Sequence, residues 1–270
     1  MIRLIGPLVW IVLMVSAPAL AAERGEYCAP HASNVVFYLD VTTPYDAIDK
    51  NSLIDGVEKI FNSLDGGDRL SIRTIEDAFP NSRRLIDGCM PYCESQGFLS
   101  DLLSDCTEGV VIDDRRRLQR DIVAAITDVV NRSRELPTSE IIRTIALCAS
   151  EEYRDGQRNT VFVFSDMIEN STYLPGGQFL ANGNNQLLSQ VAKDRLVPDL
   201  HDATVSIFGI GRKGNPDARD PLEQQKVAKI TDFWEGFFSL AGGGLLLIYA
   251  IQPQVLPRYL GVSIYRLDAN

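Results

Sequence analysis

The chain has 270 residues, 45% of them hydrophobic and 23% charged. That length and apolar content fit one or two compact domains and exclude extended disorder. With 20 Gly, 13 Pro and no sustained heptad, collagen-like and coiled-coil arrays are excluded too. A formal charge of −10 argues against a nucleic-acid partner and against docking on an anionic membrane surface.

Residues 1–21 carry the pattern of a secretory signal. Arg3 forms a short positive start, an apolar stretch runs from Leu4 to Val15, and Ala19-Leu20-Ala21 supplies a small-x-small cleavage site. The alternative is an uncleaved anchor helix. Cleavage after Ala21 removes one Arg and no acid, so the mature charge is −10 − 1 = −11. It leaves no stable membrane anchor and implies a periplasmic or secreted protein. Lipid attachment at Cys28 is disfavoured by Glu26 and Tyr27 directly before it. Export allows disulfides. Five cysteines remain, Cys28, Cys89, Cys93, Cys106 and Cys148, so one must stay unpaired or pair between chains. One bridge is expected among Cys89, Cys93 and Cys106. Zinc is disfavoured, because the Cys89-x3-Cys93 spacing is wrong and His31 and His201 lie far away in sequence.

After a short segment, 22–33, the body alternates between two periods. Val35 to Leu39 is a continuous apolar run that suits a strand buried on both faces. Leu53, Ile54, Val57, Ile60, Phe61 and Leu64 draw a helical stripe that stops at Gly66-Gly67. A second strand is expected over 69–75. The stretch near 78–112 is irregular and holds three of the five cysteines, as an insertion would. Helices follow over 114–130 and 140–149, a third strand over 161–164, a helix over 187–196 and a fourth strand over 205–210. A helix over 221–239 and a strand over 245–251 complete the body, and 252–270 forms a tail. Alternating strands and helices predict an α/β fold, a doubly wound and mainly parallel sheet with helices on both faces.

In such sheets ligands sit beyond the carboxyl ends of the strands. Asp40 and Asp166 each end a strand, with Thr42 and Thr43 after the first and Ser165 before the second. Thr138 and Ser139 precede a helix. Oxygen donors of this kind suit a hard cation such as Mg²⁺. The plainer readings are a helix cap for Thr138 or Ser139 and turn roles for Thr42 and Thr43. Arg115-Arg116-Arg117 beside Asp113-Asp114 suits a solvated face with local ion pairs. Gly209-Ile210-Gly211 lacks the third glycine of a dinucleotide loop.

The segments FYLDVTTP (37–44), TSEII (138–142) and VFVFSD (161–166) resemble the three metal-site segments of a von Willebrand factor A-like domain. The resemblance covers roughly residues 34–251. It implies that fold, with a metal site made of Asp40, Thr42, Ser139 and Asp166, and with Thr43 and Thr138 as neighbouring options. Pro44 stands where the family carries a further serine, which weakens the implied Mg²⁺ site by one ligand. The segments are similar to a bacterial subgroup with Asp-x-Thr-x-Pro in the first loop and Ser-Asp-Met in the third. Phe233-Trp234-Glu235-Gly236-Phe237-Phe238 resembles the aromatic last helix of that subgroup.

What the resemblance implies is binding rather than catalysis: a protein partner whose acidic side chain completes the cation's shell. A basic patch on a partner would also suit the acidic chain. Two alternatives stand beside it. One is a Mg²⁺-dependent phosphatase-like hydrolase with Asp40 as nucleophile, although Thr42 occupies the position where that chemistry needs a second Asp as proton donor. The other is a purely structural module that uses the cysteine-bearing insertion as its contact surface.

Overall fold

The computed structural model describes residues 27–93, 106–211 and 222–249. Strand β1, Asn34–Asp40, is buried at every one of its positions. Its alternation serves two cores. Val36 and Tyr38 face one side of the sheet, and Val35, Phe37 and Leu39 face the other. Strands β2 (Arg69–Ile75), β3 (Arg84–Cys89), β4 (Asn159–Phe164), β5 (Thr204–Phe208) and β6 (Gly244–Tyr249) complete a six-stranded sheet in the order β3-β2-β1-β4-β5-β6. Every neighbouring pair is parallel except β2 and β3. The expected fold class therefore holds: a doubly wound, mainly parallel sheet.

Helices α1 (Ala47–Ser63) and α2 (Glu108–Arg132) cover one face through Leu53, Val57, Phe61, Leu118, Ile122 and Ile126. Phe37, Phe162, Phe164 and Phe208 stack across the strands on that face. Helices α3 (Ile141–Glu152), α4 (Gly176–Ala181), α5 (Asn184–Lys193) and α6 (Gln224–Leu240) cover the other face. The aromatic run of α6 is packing. Phe233, Trp234, Phe237 and Phe238 are fully buried and meet one another largely edge to face.

Two expectations need correction. Part of the expected insertion is regular structure. Arg84–Cys89 is the antiparallel edge strand, and α2 begins at Glu108 with Thr107 as its cap. Short antiparallel strands with few apolar residues leave little periodic signal, which is why β3 escapes a sequence reading. Arg115 is not a solvated residue of its charge run. It donates to the carbonyls of Phe61 and Leu64 at the end of α1 and lies over the Phe61 ring. Arg116 and Arg117 do pair with Asp113 and Asp114 as expected. Strand β2 spans the expected residues, Arg69–Ile75. Its apolar alternation through Leu70 and Ile72 is seen, but its other face is charged and still buried. Glu152, fully buried, accepts from Ser71 Oγ at 2.5 Å, Arg73 Nε at 2.8 Å, Arg84 Nε at 3.0 Å and Arg69 Nη2 at 3.3 Å.

Cys93 and Cys106 form the bridge expected among the three clustered cysteines, and Cys89 pairs instead with Cys28. Cys148 is the unpaired thiol, buried in α3, and burial pushes its pKa up to about 11. Two disulfides fit an extracellular or exported protein. Among the described residues, no helix is long and apolar enough to cross a membrane. Residues 1–21, expected to be a signal, and the expected tail 252–270 lie outside the described residues.

Candidate functional site

Parallel pairing of β1 with β4 puts their carboxyl ends side by side, with Leu39 opposite Phe164. The residues that follow, Asp40 and Ser165-Asp166, therefore meet at one edge of the sheet. Asp40 is 1% exposed. Its Oδ1 accepts the Thr42 amide at 3.0 Å and the Thr42 hydroxyl at 2.6 Å, and its Oδ2 accepts the Ser165 hydroxyl at 2.6 Å. Three donors on one carboxylate offset the desolvation of its charge. Tyr45 braces the strand ends from below, donating its hydroxyl to the carbonyl of Asp40 at 2.8 Å.

The third loop is held as tightly. Asp166 Oδ1 accepts the Ile168 amide at 2.9 Å, an Asx turn. Ser165 Oγ accepts the Met167 amide at 2.9 Å. Met167 takes a left-handed φ of 61°, which its side chain disfavours, and Trp234 of α6 donates its indole N–H to the Met167 carbonyl at 2.8 Å. Gly211 stands at φ 71° and donates its amide to the Asp166 carbonyl at 3.1 Å. Its left-handed turn needs glycine, which accounts for the Gly-Ile-Gly run without a dinucleotide.

The second loop reaches the other two through backbone bonds. Leu136 donates to the Thr42 carbonyl at 2.9 Å. Ser139 and Asn170 exchange both backbone hydrogen bonds, at 2.8 and 3.1 Å, as an isolated antiparallel bridge. Ser139 is buried and Thr138 half-buried. The Ser139 hydroxyl is out of contact with water and has no hydrogen-bond partner. It does not act as the helix cap that the plainer reading assigns to it. The N-cap of α3 is Glu140, which makes no side-chain cap bond.

That capping role falls to Glu169, which sequence reading missed. Its fully buried carboxylate accepts the amides of Ile141 and Ile142 through Oε2, both at 2.9 Å. Burial pushes its pKa up to about 7 against the opposing bonds of Ser171, Ile142 and Ile141, and the charge of Glu140 adds to the rise. The only trace in the sequence is an acid directly after the apolar pair Met167-Ile168. Trp234, packed in the aromatic run of α6, also holds the third loop.

All the sequence-predicted donors thus lie on three loops at the carboxyl edge of β1 and β4. Thr43 is buried next to Thr42, and Pro44 contributes no hydroxyl. The donor set is entirely oxygen and includes one buried hydroxyl with no other use. Both features fit a hard cation. Asp40, Thr42, Ser139 and Asp166 are the residues that would hold it.

Strand order, one antiparallel edge and three loops gathered where β1 and β4 end define a von Willebrand factor A-like fold. No protein-family model matches the chain, and no curated protein matches it. Among solved structures, a von Willebrand factor type A protein from Catenulispora acidiphila is 12% identical at a TM-score of 0.44, over 85% of this chain and 41% of that one. BatB, a conserved hypothetical protein from Bacteroides thetaiotaomicron, is 10% identical at 0.39, over 84% of this chain and 95% of its own. The pilus adhesin SpaC from Lactobacillus rhamnosus GG is 9% identical at 0.42, over 87% of this chain and 30% of its own. The chain spans less than half the length of the first and third. At such scores it is the topology, not the superposition, that carries the fold assignment.

Proposed function

We propose that the protein is an exported interaction module that binds a protein partner through a Mg²⁺ held by Asp40, Thr42, Ser139 and Asp166. The observation that carries this reading is the Ser139 hydroxyl. It is buried on a loop whose backbone is bonded to both of the others, and it is itself bonded to nothing. A buried polar atom without a partner is unfavourable by about 1–3 kcal/mol, so it points to a ligand that completes it. When bound, the cation would offer an open position to an acidic side chain of the partner. Pro44 supplies no ligand, so the affinity expected is modest. Nothing favours the hydrolase alternative. Thr42 stands where that chemistry needs a second Asp as proton donor.

Calorimetric titration of the mature protein with Mg²⁺ and Mn²⁺, beside Asp40→Ala, tests the reading. Saturable binding that the variant loses supports it. No binding at millimolar metal overturns it and turns attention to the disulfide-bonded region near Cys93 and Cys106 as the contact surface.

A further inference from the structure

Helix α3 begins with amide groups that have no partner inside the helix. A local serine or threonine ordinarily supplies the bond. Two such residues, Thr138 and Ser139, lie directly before the helix, and a serine hydroxyl reaches the amide two residues on without strain. The molecule does not use them. The bonds to Ile141 and Ile142 come from Glu169, 28 and 27 residues further along the chain. Burying a carboxylate for this purpose is the more expensive solution, because it strips an ionisable group of its water. The local acid is engaged elsewhere. Glu140 accepts the Phe79 amide at 2.7 Å and one Arg143 nitrogen at 3.4 Å. The Ser139 backbone is meanwhile pinned to Asn170, the residue after Glu169.

We infer that Glu169 is the positioning residue of this site: by occupying the α3 amides it keeps the Ser139 hydroxyl out of the helix cap and directed to a ligand. This rests on the cation reading for the ligand's identity. The capping competition itself is a property of the metal-free protein. Without the Glu169 acceptor, the Ser139 hydroxyl, unbonded and two residues before Ile141, turns to the α3 amides.

A double-mutant cycle tests this by urea unfolding of the metal-free full chain. Glu169→Met removes the acceptor at similar volume, and Glu169→Gln keeps an acceptor oxygen. In the native background Ser139→Ala leaves the urea midpoint unchanged or raises it, because the hydroxyl has no bond to lose. In the Glu169→Met background the same change lowers the midpoint, because the hydroxyl now caps the helix. In Glu169→Gln it behaves as in the native protein. Equal shifts in all three backgrounds overturn the inference. If Glu169→Met does not fold, protection of the Ile141 and Ile142 amides from hydrogen exchange in Ser139→Ala decides instead. Unchanged protection supports Glu169 as the cap, and lost protection makes Ser139 the cap and overturns it. Mn²⁺ titration is the separate arm. Glu169→Met weakens uptake about 10–100-fold, the usual effect of removing an orienting group, and Glu169→Gln restores it. If the native protein takes up no Mn²⁺, the cation reading fails, and the urea cycle still decides the role of Glu169.

Discussion

The Ser165 hydroxyl donates to Asp40 Oδ2 at 2.6 Å, joining the ends of two strands 125 residues apart in sequence. The same oxygen receives the Met167 amide, so one hydroxyl fixes both the first carboxylate and the turn that presents the second.

Ser165→Ala should therefore destabilise the protein by about 1–3 kcal/mol, the effect of leaving a buried acceptor unsatisfied. It should also loosen the Met167 turn. Urea unfolding gives the first quantity, and amide exchange at Met167 gives the second. A midpoint equal to the native one would show that Asp40 does not depend on this bond.

Glu169 gives a pH signature of definite sign. Its pKa is about 7 in the folded protein against 4.5 for an ordinary glutamate. The folded state holds the proton more tightly, so this group's contribution is full below pH 4.5 and is lost as pH rises through about 7. Glu169→Gln does not titrate. Across that window the native protein should lose on the order of 3 kcal/mol relative to the variant. Parallel stability curves for the two proteins would contradict this.

Glu152 has the opposite sign. Burial raises its pKa, but the Ser71 and Arg73 hydrogen bonds and the Arg84 and Arg73 charges outweigh burial and lower it overall. Its contribution is present above the unfolded value and is lost as pH falls through the lowered folded one. Glu152→Ala leaves three guanidinium groups around an empty site and should destabilise by about 3–5 kcal/mol at neutral pH. Thermal melts at neutral and acid pH should show the gap closing as the native carboxylate protonates. A gap that persists unchanged in acid would mean that volume, not charge, is what Glu152 supplies.

Much of this protein is written locally in its sequence. The run Val35 to Leu39, the stripe from Leu53 to Leu64 and the run Val161 to Phe164 state their own periods, and period sets which faces must be buried. The positions of Asp40 and Asp166 follow, since each ends a strand and parallel strands align their ends. Thr42 and Ser139 are singled out only by the resemblance of their loops to the family's metal-site segments. What lies beyond sequence reading depends on contacts between distant segments. Strand β3 carries too few apolar residues to show a period, and only its pairing with β2 defines it. The partner of Cys28 is decided by where β3 ends. Glu169 is one acid among many until the third loop brings it to the first turn of α3. A hydrophobic pattern records which side of an element loses water. It carries no record of which remote donor meets a given buried acceptor, and that pairing is decided only when the chain closes on itself.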